Sequence, residues 1–244
     1  MDKPTNKYSE LFKIRASEVN EEATSTIPAI CSLFQEVAGN HALTLNFDIT
    51  QLHEQNLTWV LHRMNIKMKR YPKWREKVTI ETWPAAGDAL RAYRDYDIID
   101  ENKESIGCCL SYWMMINLKT RRPTRMPKEV LELRLENVDH VMEIKSNRLV
   151  PIEKIDAEKN FQVRNSDLDM NHHVNNTKYL EWMIETIPEN ITKKISEVDI
   201  ILLREGLYQD KIRSLVELKE EHISHHQLIN QDGETIALAT FSFV

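Results

Sequence analysis

Several features are scarce or missing in this chain of 244 residues, and each absence excludes a class of protein. Only three cysteines occur, and neighbours such as Cys108 and Cys109 rarely pair with each other or share a metal, so we expect them and Cys31 to be reduced thiols. No stretch approaches the roughly 20 apolar residues that a membrane-spanning helix needs. Residues 1–10 are polar and lack the apolar segment of a secretory signal, which predicts a cytoplasmic protein.

Basic charge is not in excess either. The chain carries 32 Lys and Arg against 38 Asp and Glu, a formal net charge of -6. Such a chain gains little attraction to a phosphate backbone, so nucleic acid is a poor first hypothesis. What the chain has is length and 41% apolar residues, enough for one or two domains with their own cores.

The first half has the pattern of one helix followed by strands. Apolar residues at spacings of three and four form a single stripe at Ile27, Ile30, Cys31, Phe34, Val37 and Ala38. Residues 24–26 can cap this helix and Gly39 can end it. The period then changes to two, which predicts a half-buried strand from Thr58 onward and further strands at 77–83, 89–99 and 104–117. The side chains of the first strand alternate between an apolar row and a polar row: Val60, Met64, Ile66 and Met68 against Arg63, Asn65, Lys67 and Lys69.

The second half repeats this order. Residues 123–150 are charged and marked by prolines, with one short helix predicted at 128–135, and we place the domain boundary there. A helix predicted at 175–187 is followed by strand-like runs at 196–204, 211–223, 225–230 and 235–243. The sequence therefore predicts a duplicated α+β unit, with an N-terminal domain at 1–135, a linker at 136–150 and a C-terminal domain at 151–244.

The densest polar cluster lies at residues 164–176, directly before the second predicted helix. One N-cap side chain suffices for a helix, so a run this rich in Asp, Asn and His indicates a site, although capping explains each residue alone. Asp169, Asn171 and His173 alternate, so in an extended segment they point the same way. The unpaired N–H groups of a helix N-terminus can also stabilise an oxyanion. His172 and His173 point apart as neighbours, and we expect no metal site.

Beyond these residue-by-residue inferences, residues 167–182 (DLDMNHHVNNTKYLEW) resemble the signature of the fatty acyl-ACP thioesterases of plant and bacterial type, where ACP is the acyl carrier protein. The likeness continues at 59–64 (WVLHRM), 70–74 (RYPKW), 81–83 (ETW), 113–117 (WMMIN) and 120–123 (TRRP). It covers most of the chain. The resemblance implies a tandem hot-dog fold, in which each long helix packs on a curved antiparallel sheet and the two halves form an internal pseudo-dimer.

The resemblance also implies an activity without a cofactor: hydrolysis of an acyl-ACP thioester to a free fatty acid and holo-ACP, which ends fatty acid elongation. The first domain would hold the acyl chain and the second would catalyse. The family's Asp, Asn and His fall on Asp169, Asn171 and His173, and a later glutamate falls on Glu205.

The family often carries a cysteine after that glutamate, but Gly206 stands here and the second half has no thiol, so we exclude a papain-like mechanism. Two carboxylate mechanisms stay open. Asp169 attacks the thioester to give an anhydride, or Asp169 or Glu205 acts as general base on a water. In either, Asn171 and the helix N-terminus polarise the carbonyl or hold water, and His173 orients the carboxylate or acts as acid or base.

An acyl carrier protein is acidic, so its docking surface should be locally basic. We predict that surface on the first strand or in a basic loop, at Arg63, Lys67, Lys69, Arg121 and Arg122. Apolar residues predicted to contact the acyl chain are Met64, Ile66, Met68 and Met115. The alternatives are an acyl-CoA thioesterase, a non-catalytic acyl-binding protein and a metal-dependent hydrolase. A monomer and a homodimer are equally compatible with two fused units.

Overall fold

The computed structural model of the protein describes residues 6–135, 138–189, 191 and 193–244. They form two units, one within Met1–Lys145 and the other within Ser146–Val244, and each combines helices with antiparallel strands. The predicted α+β class is confirmed. Among the helices of these residues, none is both long enough and apolar enough to cross a membrane.

Unit 1 has one strand before its long helix and the other strands after it. Its elements are β1 (Tyr8–Lys13), α1 (Ile27–Thr44), α2 (Ile49–Glu54), β2 (Leu57–Met68), β3 (Lys77–Pro84), β4 (Arg91–Ile99), β5 (Ser105–Asn117), β6 (Arg122–Pro123) and α3 (Lys128–Leu131). The strands pair antiparallel in the order β1-β3-β4-β5-β2, and β6 pairs with β5.

Unit 2 repeats this topology. Its elements are β7 (Ala157–Gln162), α4 (Asn176–Glu185), β8 (Ile195–Leu202), β9 (Lys211–Glu220), β10 (Ile223–Ile229) and β11 (Thr235–Phe243). They pair antiparallel in the order β7-β9-β10-β11-β8, which is the order of unit 1. Strands β1 and β7 were absent from the sequence prediction. Each pairs on one side only within its unit, and such strands carry more polar residues, which weakens the alternating pattern.

Helix α1 is longer than its apolar stripe predicts. The Thr26 hydroxyl accepts the Ala29 N–H at 3.3 Å and starts the helix, but Gly39 does not end it. The helix continues to Thr44 because buried His41 extends the packed face by another turn. A glycine costs a helix only about 1 kcal/mol relative to alanine, and that packing outweighs the cost.

Strand β2 is buried on both faces over part of its length, whereas the sequence predicts a half-buried strand. Arg63 and Asn65, on the predicted polar row, are 5% and 1% exposed. The Arg63 Nη1 donates to the Lys145 carbonyl at 3.0 Å, and the Lys145 N–H donates to the Tyr112 hydroxyl at 2.9 Å. Part of the predicted linker therefore packs on unit 1 as a strap. Residues 136 and 137 of that linker lie outside the described residues.

The strap also contains hydrogen bonds to a buried acid. The Nδ1 of His140 lies 2.8 Å from the Asp95 carboxylate, and the Val141 N–H donates to the same carboxylate at 3.3 Å. The Asp95 side chain is 1% exposed, so these contacts compensate its burial. The end of unit 1 is thus fixed by polar contacts that no local sequence pattern indicates.

Candidate active site

The loop that leads into α4 is fixed at both ends by Asp167. Its buried carboxylate accepts the Arg164 N–H at 2.8 Å and the Arg164 guanidinium at 2.8 Å, and its carbonyl accepts the Asn175 N–H at 2.8 Å. Burial opposes the charged form, but the hydrogen bonds and charge of Arg164 lower the pKa of Asp167 below its usual value. The hydrogen bonds of Asp167 therefore hold the two ends of segment 168–174 close together.

Asp167→Asn is expected to destabilise the protein at neutral pH by about 1 to 3 kcal/mol, since it removes a buried, hydrogen-bonded carboxylate. A lowered folded-state pKa contributes stability above the unfolded value and loses it as the pH falls through the folded value. The difference between wild type and variant in urea unfolding should thus be full at pH 7 and shrink below about pH 4. A constant difference from pH 7 to pH 3 would contradict this.

Asp169 organises the tight turn that follows. Its N–H donates to the His173 carbonyl at 2.8 Å, and its Oδ1 accepts the N–H groups of Asn171 at 2.8 Å and His173 at 3.2 Å. His172 adopts a positive φ of 61°, and Leu168 forms a bridge with Val174. The extended segment predicted here is wrong: the chain folds back on itself. Asp169 and His173 meet because they lie opposite each other across the turn.

His173 is joined to a residue from a distant part of unit 2. Its Nε2 lies 3.4 Å from the Glu205 carboxylate, and the two side chains are 26% and 36% exposed. The Val174 N–H donates to the Gly206 carbonyl at 2.9 Å, so the turn and the Glu205 segment are tied at the backbone. The arrangement puts an imidazole beside a carboxylate where a substrate can reach both.

The start of α4 is less available for an oxyanion than the sequence suggests. Asn175 caps the helix, and its side chain accepts the Thr177 N–H at 3.0 Å and the Thr177 hydroxyl at 2.9 Å. The Asn175 carbonyl accepts the Lys178 N–H at 2.9 Å. Two of the N–H groups of the first turn are therefore already used, which leaves less of the helix terminus to polarise a carbonyl.

Tyr179 is the buried residue that sequence reasoning missed. Its hydroxyl accepts the Gly206 N–H at 2.8 Å and donates to the Arg204 carbonyl at 3.2 Å. Burial raises its pKa, so the phenol stays protonated. The only signal was its place in the first turn of the helix after the polar cluster, where an aromatic residue is ordinarily assigned to the core.

Unit 1 contains a turn with the same hydrogen bonds but different side chains. Asn20 stands where Asp169 stands: its N–H donates to the Thr24 carbonyl at 2.9 Å, and its Oδ1 accepts the N–H groups of Glu22 at 3.1 Å and Thr24 at 3.0 Å. Ala23 takes the positive φ, at 56°.

The attachment of this turn is repeated as well. The Ser25 N–H donates to the Pro72 carbonyl at 2.9 Å, as that of Val174 does to Gly206. Tyr71, which precedes Pro72, therefore stands where Glu205 stands. The unit 2 turn carries the acid, amide and imidazole and is tied to the segment of Glu205, whereas the equivalent positions of unit 1 are Asn20, Glu22, Thr24 and Tyr71.

The thiols all lie in unit 1. Cys31 and Cys109 are buried, and burial raises the pKa of Cys31 to about 12 and that of Cys109 well above its usual value. Burial also raises the pKa of Cys108. A Cβ built at Gly206 would approach a Val174 methyl to 2.8 Å, so a cysteine there requires the stiff valine to move. No described thiol has the environment of a nucleophile.

The residues predicted to contact the acyl chain are buried in unit 1 but are divided between two places. Met64, Ile66 and Met68 are 0–4% exposed on β2, and the Met64 sulfur lies 3.5 Å from the Cys31 sulfur of α1. Met115 instead belongs to an apolar cluster with Leu52, Met126 and Val130. An acyl-binding role for these residues stays a prediction.

The predicted docking residues also separate. Arg63 is buried and bonded to the Lys145 carbonyl, so its guanidinium is not on an exposed surface and we remove it from the docking set. Lys67 and Lys69 are exposed on or beside β2. Arg121 and Arg122 are exposed at the turn between β5 and β6.

Exposed apolar side chains lie near Asp169 and Glu205 in the sequence. Met170, next to Asp169, is 79% exposed, and Leu203, Leu207 and Tyr208 near Glu205 are 47–52% exposed. Such a group beside polar residues is typical of a surface that meets an apolar ligand.

Family models and solved structures match this chain along its length. The model of the acyl-ACP thioesterase N-terminal domain matches residues 5–133, and that of the acyl-ACP thioesterase C-terminal domain matches residues 152–244. A chloroplastic oleoyl-acyl carrier protein thioesterase from Coriandrum sativum is 31% identical over 94% of this chain and 68% of its own length.

Two proteins of known structure share the fold. An acyl-ACP thioesterase from Bacteroides thetaiotaomicron superposes with a TM-score of 0.90 at 25% identity, over 100% of both chains. The 12:0-ACP thioesterase from Umbellularia californica gives a TM-score of 0.88 at 27% identity, over 98% of this chain and 97% of its own.

Proposed function

Because the chain belongs to the acyl-ACP thioesterase family, we propose that it hydrolyses a fatty acyl-ACP thioester to free fatty acid and holo-ACP, with Asp169, His173 and Glu205 as reacting side chains. The observation that carries this proposal is the pairing of His173 with Glu205 beside the Asp169 turn, in a frame that unit 1 repeats without those groups. The exposed apolar residues around the turn suit an acyl substrate.

Two routes lead from this geometry to hydrolysis. Asp169 Oδ1 is held by two N–H groups, whereas Oδ2 has no hydrogen bond among the described residues. In the first route Oδ2 attacks the carbonyl carbon, the C–S bond breaks, the thiolate leaves and takes up a proton, and water then splits the anhydride. In the second, Asp169 or Glu205 removes a proton from a water whose oxygen attacks the same carbon. His173 is suited to move the proton to the departing sulfur.

The proposal is tested by assaying free-thiol release from purified protein with acyl-ACPs of graded chain length and with the matching acyl-CoAs. A higher kcat/KM for acyl-ACP is expected. A preference for acyl-CoA would make the protein an acyl-CoA thioesterase, and no thiol release from either carrier would overturn the proposal. The cytoplasmic location stays a prediction of the sequence.

Alkylation of thiols is expected to leave the activity unchanged. The three cysteines lie in unit 1 with raised pKa values, and Gly206 stands beside Glu205. Treatment with iodoacetamide at pH 7.5 should therefore preserve kcat. Cys108→Ser, which removes the least buried thiol, serves as a control and should behave like wild type. Inactivation that substrate prevents would point instead to a reactive cysteine.

Docking of the acidic carrier is proposed at the exposed turn that contains Arg121 and Arg122. Arg121→Glu with Arg122→Glu should raise KM for acyl-ACP about tenfold and leave kcat unchanged, because like charges oppose the encounter. Lys13→Glu with Lys103→Glu changes the net charge equally at other exposed positions of unit 1 and should leave KM near the wild-type value. Equal effects of the two double variants would remove this turn from consideration.

A further inference from the structure

We infer that Tyr179 is the positioning residue for Glu205, acting through the two peptide groups that enclose it. The inference deepens the proposed function, on which it rests, by adding a residue that does not touch substrate. Arg204 and Gly206 are the chain neighbours of Glu205, and one phenol oxygen binds the carbonyl of the first and the N–H of the second. Glu205 therefore stands at the centre of a clamp made by a single hydroxyl.

The clamp adds a buried contact beside Glu205 to a segment whose ends are attached elsewhere in unit 2. The N–H groups of Leu203 and Arg204 donate to the Ile236 carbonyl, and the N–H of Gln209 donates to the Val163 carbonyl. Residues 203–205 and 207–209 are exposed, and Gly206 is the only buried position between them. A catalytic carboxylate on such a segment requires a rigid support, because small displacements of a reacting group reduce turnover strongly. Tyr179 is 2% exposed in the first turn of α4, so its hydroxyl is fixed by the helix and its packing.

Unit 1 provides an internal comparison. Tyr179 lies five residues after Val174, and five residues after Ser25 stands Ile30, which is buried and has no hydroxyl. The position of Gly206 is taken by Pro72, which has no N–H to donate. Unit 1 thus lacks both the hydroxyl and the N–H group of the clamp, and it has Tyr71 in place of Glu205. The turn itself forms in both units, so its formation does not require the clamp.

Gly206 completes the arrangement by its lack of a side chain. A Cβ there would approach Val174 Cγ2 to 2.8 Å and the Tyr179 hydroxyl to 3.5 Å. The absence of a Cβ lets the Glu205 segment lie close to the turn, where the Val174 N–H reaches the Gly206 carbonyl. The phenol can then bind both neighbours of Glu205 at once.

The test is Tyr179→Phe, assayed with acyl-ACP beside wild type. We expect kcat to fall about 10- to 100-fold with KM unchanged. The control is Thr186→Val, which removes another buried hydroxyl of the α4 segment, bonded to the Trp182 carbonyl and to Ser214, and should keep kcat. A similar loss of kcat in Thr186→Val, or wild-type kcat in Tyr179→Phe, would overturn the inference.

A double variant with Glu205 distinguishes a positioning role of Tyr179 from a general effect on protein stability. On a Glu205→Gln background, Tyr179→Phe should change kcat by less than about threefold, because the group it positions is already gone. Multiplicative losses would overturn the inference. Should Tyr179→Phe fold poorly, amide exchange in the wild-type protein gives an independent answer: the Gly206 N–H should exchange more slowly than its exposed neighbours, and equal rates would refute the clamp. If wild type itself released no thiol, the proposed function would fail instead.

Discussion

Asp169→Asn is expected to lower kcat for acyl-ACP by about 10²- to 10⁴-fold, the range for loss of a general base or acid. The substitution removes the nucleophile of the first route and one of the two candidate general bases of the second. It should leave the fold intact, because Asn20 forms the same turn in unit 1, with its Oδ1 accepting the same two N–H groups. Thiol release measures the rate, and urea unfolding should place stability within about 0.5 kcal/mol of wild type.

Isotope labelling then decides which carboxylate reacts. In a single turnover in H₂¹⁸O, label in the peptide that contains Asp169 requires an anhydride on that side chain. Label confined to the fatty acid, with a large loss of rate in Glu205→Gln, favours a general base. A variant Asp169→Asn that keeps near-wild-type turnover would remove Asp169 from both routes.

His173→Thr is expected to reduce kcat to a similar extent, by about 10²- to 10⁴-fold. The imidazole that lies 3.4 Å from Glu205 is lost, and with it the proposed proton carrier beside the carboxylate. Threonine is the matched replacement because Thr24 occupies the equivalent position of the unit 1 turn. The measurement is kcat and kcat/KM for acyl-ACP, with urea unfolding to show that the variant is folded.

The neighbouring histidine supplies the control. His172 is exposed, with a φ of 61°, and Ala23 holds the equivalent place with a φ of 56°. His172→Ala should therefore fold and hydrolyse acyl-ACP at close to the wild-type rate. If His172→Ala and His173→Thr lost activity equally, the damage would lie in the turn and not in the chemistry of His173.

Much of the fold could be predicted because its signals are local. The apolar stripe at Ile27–Ala38 and the period-two runs at 77–83 and 235–243 fall on real elements. Elements whose formation depends on partners distant in sequence were missed or mistaken. Strands β1 and β7 form by pairing with β3 and β9, and Arg63 of β2 is buried with its guanidinium bonded to the Lys145 carbonyl.

The candidate site shows the same division. The polar run before α4 drew attention to Asp169 and His173, yet the sequence suggested an extended segment and the structure has a closed turn. Glu205 came from the family resemblance, since no spacing links it to His173. Tyr179 could not be predicted because its role depends on two backbone groups more than twenty residues away.

The turns of the two units share one backbone conformation and differ in their polar side chains. A side-chain Oδ1 accepts the same two N–H groups whether it belongs to the amide of Asn20 or the acid of Asp169, so the acid can be replaced in one turn without unfolding it. In a chain that arose by duplication, selection for the proposed reacting side chains then acts on the turn of unit 2 and not on that of unit 1. We therefore expect relatives of this chain to differ more from one another at the turn of unit 1 than at the turn of unit 2.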